Sequence, residues 1–71
     1  MKKYLVVIEE SKIGYSAFSP DLPGCIATGA SLVEVKKNMQ KAIEFHLEGL
    51  KLEDNRPPEP HCQSAYVEVA A

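Results

Sequence analysis

No stretch of this sequence approaches the roughly 18 apolar residues that a membrane span requires. The longest apolar run, Tyr4-Leu5-Val6-Val7-Ile8, is five residues and meets Glu9-Glu10 at once. A signal-peptide core needs roughly 7–15 such residues and a small-residue cleavage site after them. A basic excess is equally lacking: eight lysines and arginines face ten aspartates and glutamates, a formal net charge of −2. That argues against a nucleic-acid binder, which carries a basic footprint. Two cysteines, Cys25 and Cys62, are too few for a disulfide framework and lack paired metal-ligand spacing. Neither G-x-G-x-x-G nor G-x-x-x-x-G-K-[ST] occurs, so no phosphate-cradling loop is expected. The expectation is a cytoplasmic protein with free thiols, one domain over residues 1–71 without a repeat or low-complexity segment. A chain of this size buries only about 60% of its unfolded surface, so a disulfide, a metal or a partner subunit would add useful support.

What is present reads as a small α+β unit. Tyr4 to Ile8 is bulky and β-branched, as suits a strand. Ser11-Lys12-Ile13-Gly14 then forms a short loop, and Tyr15 to Ser19 a second strand, giving a hairpin. Pro20-Asp21-Leu22-Pro23-Gly24 must end it, because proline removes ladder donors and glycine permits a sharp turn. Cys25 to Gly29 reads as a third strand. Ser31-Leu32-Val33-Glu34 has the S-x-x-E form of a capping box. Beyond it Val35, Met39, Ala42, Ile43, His46, Leu47 and Leu50 recur at three- and four-residue spacing, one apolar stripe on a helix of about five turns. The opposite face mixes Lys36, Lys37, Lys41, Glu44, Glu48 and Lys51, unlike the predominantly basic face of a membrane-surface helix. Asn55 is placed to supply a left-handed cap, and the prolines from Pro57 onward forbid continuation. Ser64 to Val69 is expected as a last strand. The order β-β-β-α-β makes a small antiparallel-rich sheet with one helix packed on one face.

Few residues form a pattern with chemistry. His46 lies on the apolar stripe with no nucleophile or carboxylate tied to it, which favours a structural role. Cys25 reads as a small buried hydrophobe. His61 and Cys62 are adjacent, but two neighbouring ligands do not make the four-coordinate site zinc prefers, so no metal and no cofactor are expected. Asp21, between two prolines, either caps local backbone amides or stands exposed as a contact point. The three strands as delimited above contain no carboxylate, and two-metal nuclease chemistry needs several converging ones. No catalytic residue is therefore expected.

Tyr15-Ser16-Ala17-Phe18-Ser19-Pro20-Asp21-Leu22-Pro23-Gly24-Cys25 resembles the Y-x-A-x-x-P-D-L-P-G-C signature of HicB-like antitoxins. Gly29-Ala30-Ser31, Glu34, Asn38, Ala42, Ile43, His46-Leu47 and the proline loop continue the likeness over nearly the whole chain. Val35 stands where a small alanine is common. The resemblance implies a sheet with one packed helix, described for the family as degenerate ribonuclease-H-like. It also implies a non-enzymatic protein that neutralises a small mRNA-cleaving, HicA-like toxin by contact. Many members add a C-terminal promoter-binding element. Here the sequence ends at Ala71 directly after the predicted last strand, so direct DNA binding is not expected. The acidic candidates for such a contact are Asp21, Glu44, Glu48 and Glu59, with Leu22 as an apolar anchor. A homo-oligomer is expected, and a stand-alone oligomeric binding module with a non-toxin partner is the alternative.

Overall fold

A computed structural model describes residues 2–71. Three strands, β1 (Val7–Ser11), β2 (Gly14–Phe18) and β3 (Ile26–Gly29), precede a single helix, α1 (Leu32–Leu52). They form one antiparallel sheet in the order β1-β2-β3. Pairing in the hairpin runs from Val7 opposite Phe18 to Ser11 opposite Gly14, which leaves only Lys12 and Ile13 as the turn. The expected first strand therefore lies three residues too early. Ladder pairing extends through Glu9 and Glu10 because a two-residue turn lets the strands pair up to their tips. β1 thus carries two carboxylates, contrary to the expectation of acid-free strands; both side chains are exposed.

Where the helix comes closest, the face of the sheet beneath it carries the small residues Ala17, Ala27 and Gly29. Ala17 pairs with Ala27, and Tyr15 with Gly29. Alternation puts Ala17 on the helix side, where it joins Leu22, Cys25, Val35 and Met39 in the buried core. Tyr4, Val6, Ile8, Ala42, Ile43 and Leu47 pack around that core. The first helical turn sits directly on Gly29: a Cβ there would stand 2.6 Å from the Val35 backbone nitrogen and 2.8 Å from its Cα. Gly14, at φ +149°, is equally constrained, since its Cβ would meet the Gly29 carbonyl oxygen at 2.6 Å.

Both helix ends are closed by short-range hydrogen bonds. The Ser31 hydroxyl accepts from the Glu34 backbone N–H at 3.1 Å, which satisfies one of the first-turn donors. At the other end the left-handed residue is Asp54, at φ +62°, rather than Asn55. The Asp54 N–H donates to the Lys51 carbonyl at 3.1 Å and the Asn55 N–H to Leu50 at 2.8 Å, the paired bonds of a Schellman cap. Asn55 is thus the residue after the left-handed position. No helix is long and apolar enough to cross a membrane among the described residues.

The expected last strand is not formed. Residues 63–71 carry no ladder pairing and their side chains are exposed, with Tyr66, Val67 and Val69 among the large apolar groups left in solvent. Local β propensity makes a strand only where a partner edge is within reach, and this segment leaves the body of the chain after Cys62.

Replacing Gly29 by alanine is expected to lower stability by about 1–3 kcal/mol, the usual cost of overpacking, because the obstruction is helix backbone that a rotamer change cannot relieve. Chemical denaturation of the Gly29→Ala variant measures it; an unchanged midpoint would show that the helix does not sit this close.

Candidate functional site

The turn after β2 folds inward. The Leu22 N–H donates to the Ser19 carbonyl at 3.1 Å, the Cys25 N–H to Leu22 at 3.1 Å, and the Ser19 N–H to Cys25 at 3.3 Å. Gly24, at φ +83°, supplies the left-handed step that closes the turn. The Ser19 hydroxyl donates to the Leu5 carbonyl at 2.9 Å, holding the turn to the segment before β1. Leu22 is thereby fully buried and Asp21 nearly so.

Burying a carboxylate demands donors, and they come from the far end of the chain. One oxygen, Oδ2, accepts from the backbone N–H groups of His61 at 3.2 Å and Cys62 at 3.3 Å. The other, Oδ1, lies 2.8 Å from His61 Nδ1, yet it has no aligned hydrogen-bond donor. The same ring nitrogen also lies 3.3 Å from the Glu59 carbonyl oxygen, the better aligned of its two partners. The Asp21, His61 and Cys62 side chains each bring a ligating atom into one group, all within 4.8 Å of one another. Burial pushes the Asp21 carboxyl up, but a hydrogen bond from the Cys62 thiol, the two backbone N–H groups and the charge of His61 outweigh it, and the pKa falls below 3.8. The hydrogen bond to Asp21, burial and the negative charge of Asp21 all push the Cys62 thiol up. Burial alone raises that of Cys25. Both changes run opposite to the lowering that activates a thiol nucleophile.

The anticipated contact residues therefore divide. Asp21 and Leu22 are withdrawn from the surface: the carboxylate receives two backbone N–H groups, and the leucine lies inside the core. Of the two roles open for Asp21, amide capping is the one the fold uses, although the amides lie 40 and 41 residues away. Glu44 and Glu48 lie exposed one turn apart on α1; neither has an ion pair among the described residues. Glu59 is exposed and pairs with Lys2 at 2.9 Å. His46 is half-buried on the helix. These acids do not converge with Asp21.

The sheet face away from α1 is partly apolar, as the run from Tyr4 to Ile8 implies, and it extends to residues outside that run. Val7, Phe18 and Ile26 stand in one cross-strand row. Phe18 is 38% exposed and Ile26 69% exposed. The alternation of apolar residues through β2 was the signal: Ala17 faces the helix, so Phe18 must face outward.

Comparison with known proteins places this geometry in context. A family model described as HicB-like antitoxin of bacterial toxin–antitoxin system matches residues 4–69. A 14.9 kDa protein of the rep–hol intergenic region of Haemophilus phage HP1 is 36% identical over 64 residues, 90% of this chain and 48% of that protein. The chain thus spans about half the length of the phage relative. A UPF0150 protein of Thermoplasma acidophilum is 32% identical over 66 residues, 92% of this chain and 96% of that one. Among solved structures, one chain from a HicA3 and HicB3 toxin–antitoxin complex superposes with a TM-score of 0.73 at 28% identity. It covers 84% of this chain and 70% of that one.

A carboxyl whose pKa is lowered on folding stabilises the folded state above its unfolded value, about 3.9, and that contribution is lost as pH falls through the lower folded value. In EDTA-containing buffer, the parent should therefore lose stability below about pH 4 more steeply than Asp21→Asn. Denaturant midpoints at pH 3, 4 and 6 test this; parallel acid limbs for the two proteins would sink it.

Proposed function

The chain belongs to the HicB-like antitoxins of bacterial toxin–antitoxin systems, and from that membership we propose that it neutralises a small mRNA-cleaving, HicA-like toxin by protein–protein contact. The observation that supports this most is the joint likeness in fold and sequence to a chain from the HicA3 and HicB3 complex. On this reading the protein works in the cytoplasm and is no enzyme: it blocks the toxin's RNA-binding surface by occupying it.

Glu44 and Glu48 are the contacts we assign to α1, and Glu59 the contact in the proline segment. An RNA-cleaving toxin must hold a phosphate backbone and so presents a basic surface. Complementary charge then speeds encounter and disfavours wrong partners more than it adds affinity. Co-purification of the chain with the product of an adjacent small basic reading frame tests the proposal. A stable complex and suppressed RNA cleavage at equimolar antitoxin are expected; undiminished cleavage in excess antitoxin would remove the reading. Glu44→Lys combined with Glu48→Lys should slow association about tenfold at low salt, within the range of electrostatic steering, and leave folding intact. An unchanged association rate would place the contact elsewhere.

We also propose that the chain self-associates. The row Val7, Phe18 and Ile26 and the exposed, unpaired segment of residues 64–69 offer a second copy an apolar face and a stretch able to pair with a sheet edge. Edge strands template such pairing, and twofold symmetry is the commonest way to close it. Light scattering at micromolar concentration should give a mass of at least twice 7.8 kDa, reduced to the monomer by Val67→Lys with Val69→Lys. A monomeric parent would refute it.

A further inference from the structure

We propose that Asp21, His61 and Cys62 form a binding site for a borderline divalent cation of the zinc type, a proposal independent of the toxin reading. The three donors are a carboxylate, an imidazole and a thiol, grouped within 4.8 Å. That set suits zinc and cobalt(II), and it is poor for magnesium or calcium, which favour oxygen. The sequence alone gave His61 and Cys62 no third ligand; the turn brings Asp21 to them across 40 residues.

The second, independent observation is the state of the Asp21 carboxylate. Its side chain is fully buried, and Oδ1 has no aligned hydrogen-bond donor. A cation held between Oδ1 and the His61 ring would give that oxygen the aligned partner it lacks. Oδ2 is meanwhile held by two backbone N–H groups, the kind of outer support that fixes a metal-ligating carboxylate. Oδ2 is oriented by the backbone, and Oδ1 faces the His61 ring nitrogen at 2.8 Å without an aligned donor.

The distances need only side-chain adjustment. Tetrahedral zinc with bonds of about 2.0–2.1 Å sets two N or O ligands roughly 3.3 Å apart. His61 Nδ1 and Asp21 Oδ1 now stand 2.8 Å apart, so they must open by about half an ångström. The His61 ring is 77% exposed and free to turn away from the Glu59 carbonyl. Binding replaces the thiol proton of Cys62, which passes to solvent, by a metal–sulfur bond. A fourth position stays open to water, as in three-ligand zinc sites. Occupancy would tie residues 61 and 62 to the buried turn, a staple of the kind small domains use.

The test is titration of untagged, fully reduced protein with Co²⁺ and then Zn²⁺. The expected result is one equivalent of Co²⁺ per chain, a thiolate-to-cobalt charge-transfer absorption, and displacement of both by Zn²⁺. Zn²⁺ should also raise the thermal midpoint. Cys62→Ser should abolish the charge-transfer absorption, and His61→Ala should weaken Co²⁺ binding at least tenfold; both positions are accessible enough for the variants to fold, which circular dichroism checks. Cys25 remains in both variants as an internal control. Absence of a charge-transfer band in the parent, its persistence in Cys62→Ser, or equal affinity in the parent and His61→Ala would each overturn the proposal.

Discussion

The buried carboxylate of Asp21 is the constraint on which the arrangement of this chain depends. Leu22 enters the core only if the turn between Pro20 and Gly24 folds inward, and that movement takes the neighbouring Asp21 out of water with it. A desolvated carboxylate is tolerated only when donors replace the lost solvent. The backbone N–H groups of His61 and Cys62 supply them, so the segment after the proline run has one place to go. Tyr4 reinforces the path by donating its hydroxyl to the Pro58 carbonyl at 2.7 Å. The segment before β1 and the stretch from Pro58 to Cys62 are thereby drawn to the same turn.

The second constraint is steric. A single helix can cover this sheet closely because Ala17, Ala27 and Gly29 keep the inner face low, and Val35 and Met39 then fill the space between the layers. Asn38 adds a side-chain donor to the Thr28 carbonyl at 2.8 Å, fixing the helix along β3. The core that results is small. Outside it the apolar row Val7, Phe18 and Ile26 and the terminal segment from Ser64 stay largely uncovered.

Much of the fold was legible in the sequence. The helix was, because apolar positions at three- and four-residue spacing and the Ser31 cap are local signals that reinforce one another. The turn was, because Pro20, Pro23 and Gly24 restrict the backbone whatever surrounds them. The strand limits at Tyr4 were not: the apolar run marks burial, and Tyr4 and Val6 are indeed packed on the core, but ladder pairing begins at Val7. The segment from Ser64 was misread for a related reason. Its alternation records a capacity to pair, whereas pairing requires an edge that this single chain does not bring to it.

The candidate site was legible only in its parts. Sequence by itself determined three successive strands followed by one helix, a sharp proline-bounded turn, and the family signature from Tyr15 to Cys25. All of these rest on spacing within a few residues, where backbone geometry leaves little freedom. Tertiary structure alone decided that Asp21 and Leu22 face inward and that His61 and Cys62 meet the Asp21 carboxylate. Those contacts join positions about 40 residues apart. No local rule specifies them, because they follow from the need to satisfy a charge that core packing has already buried.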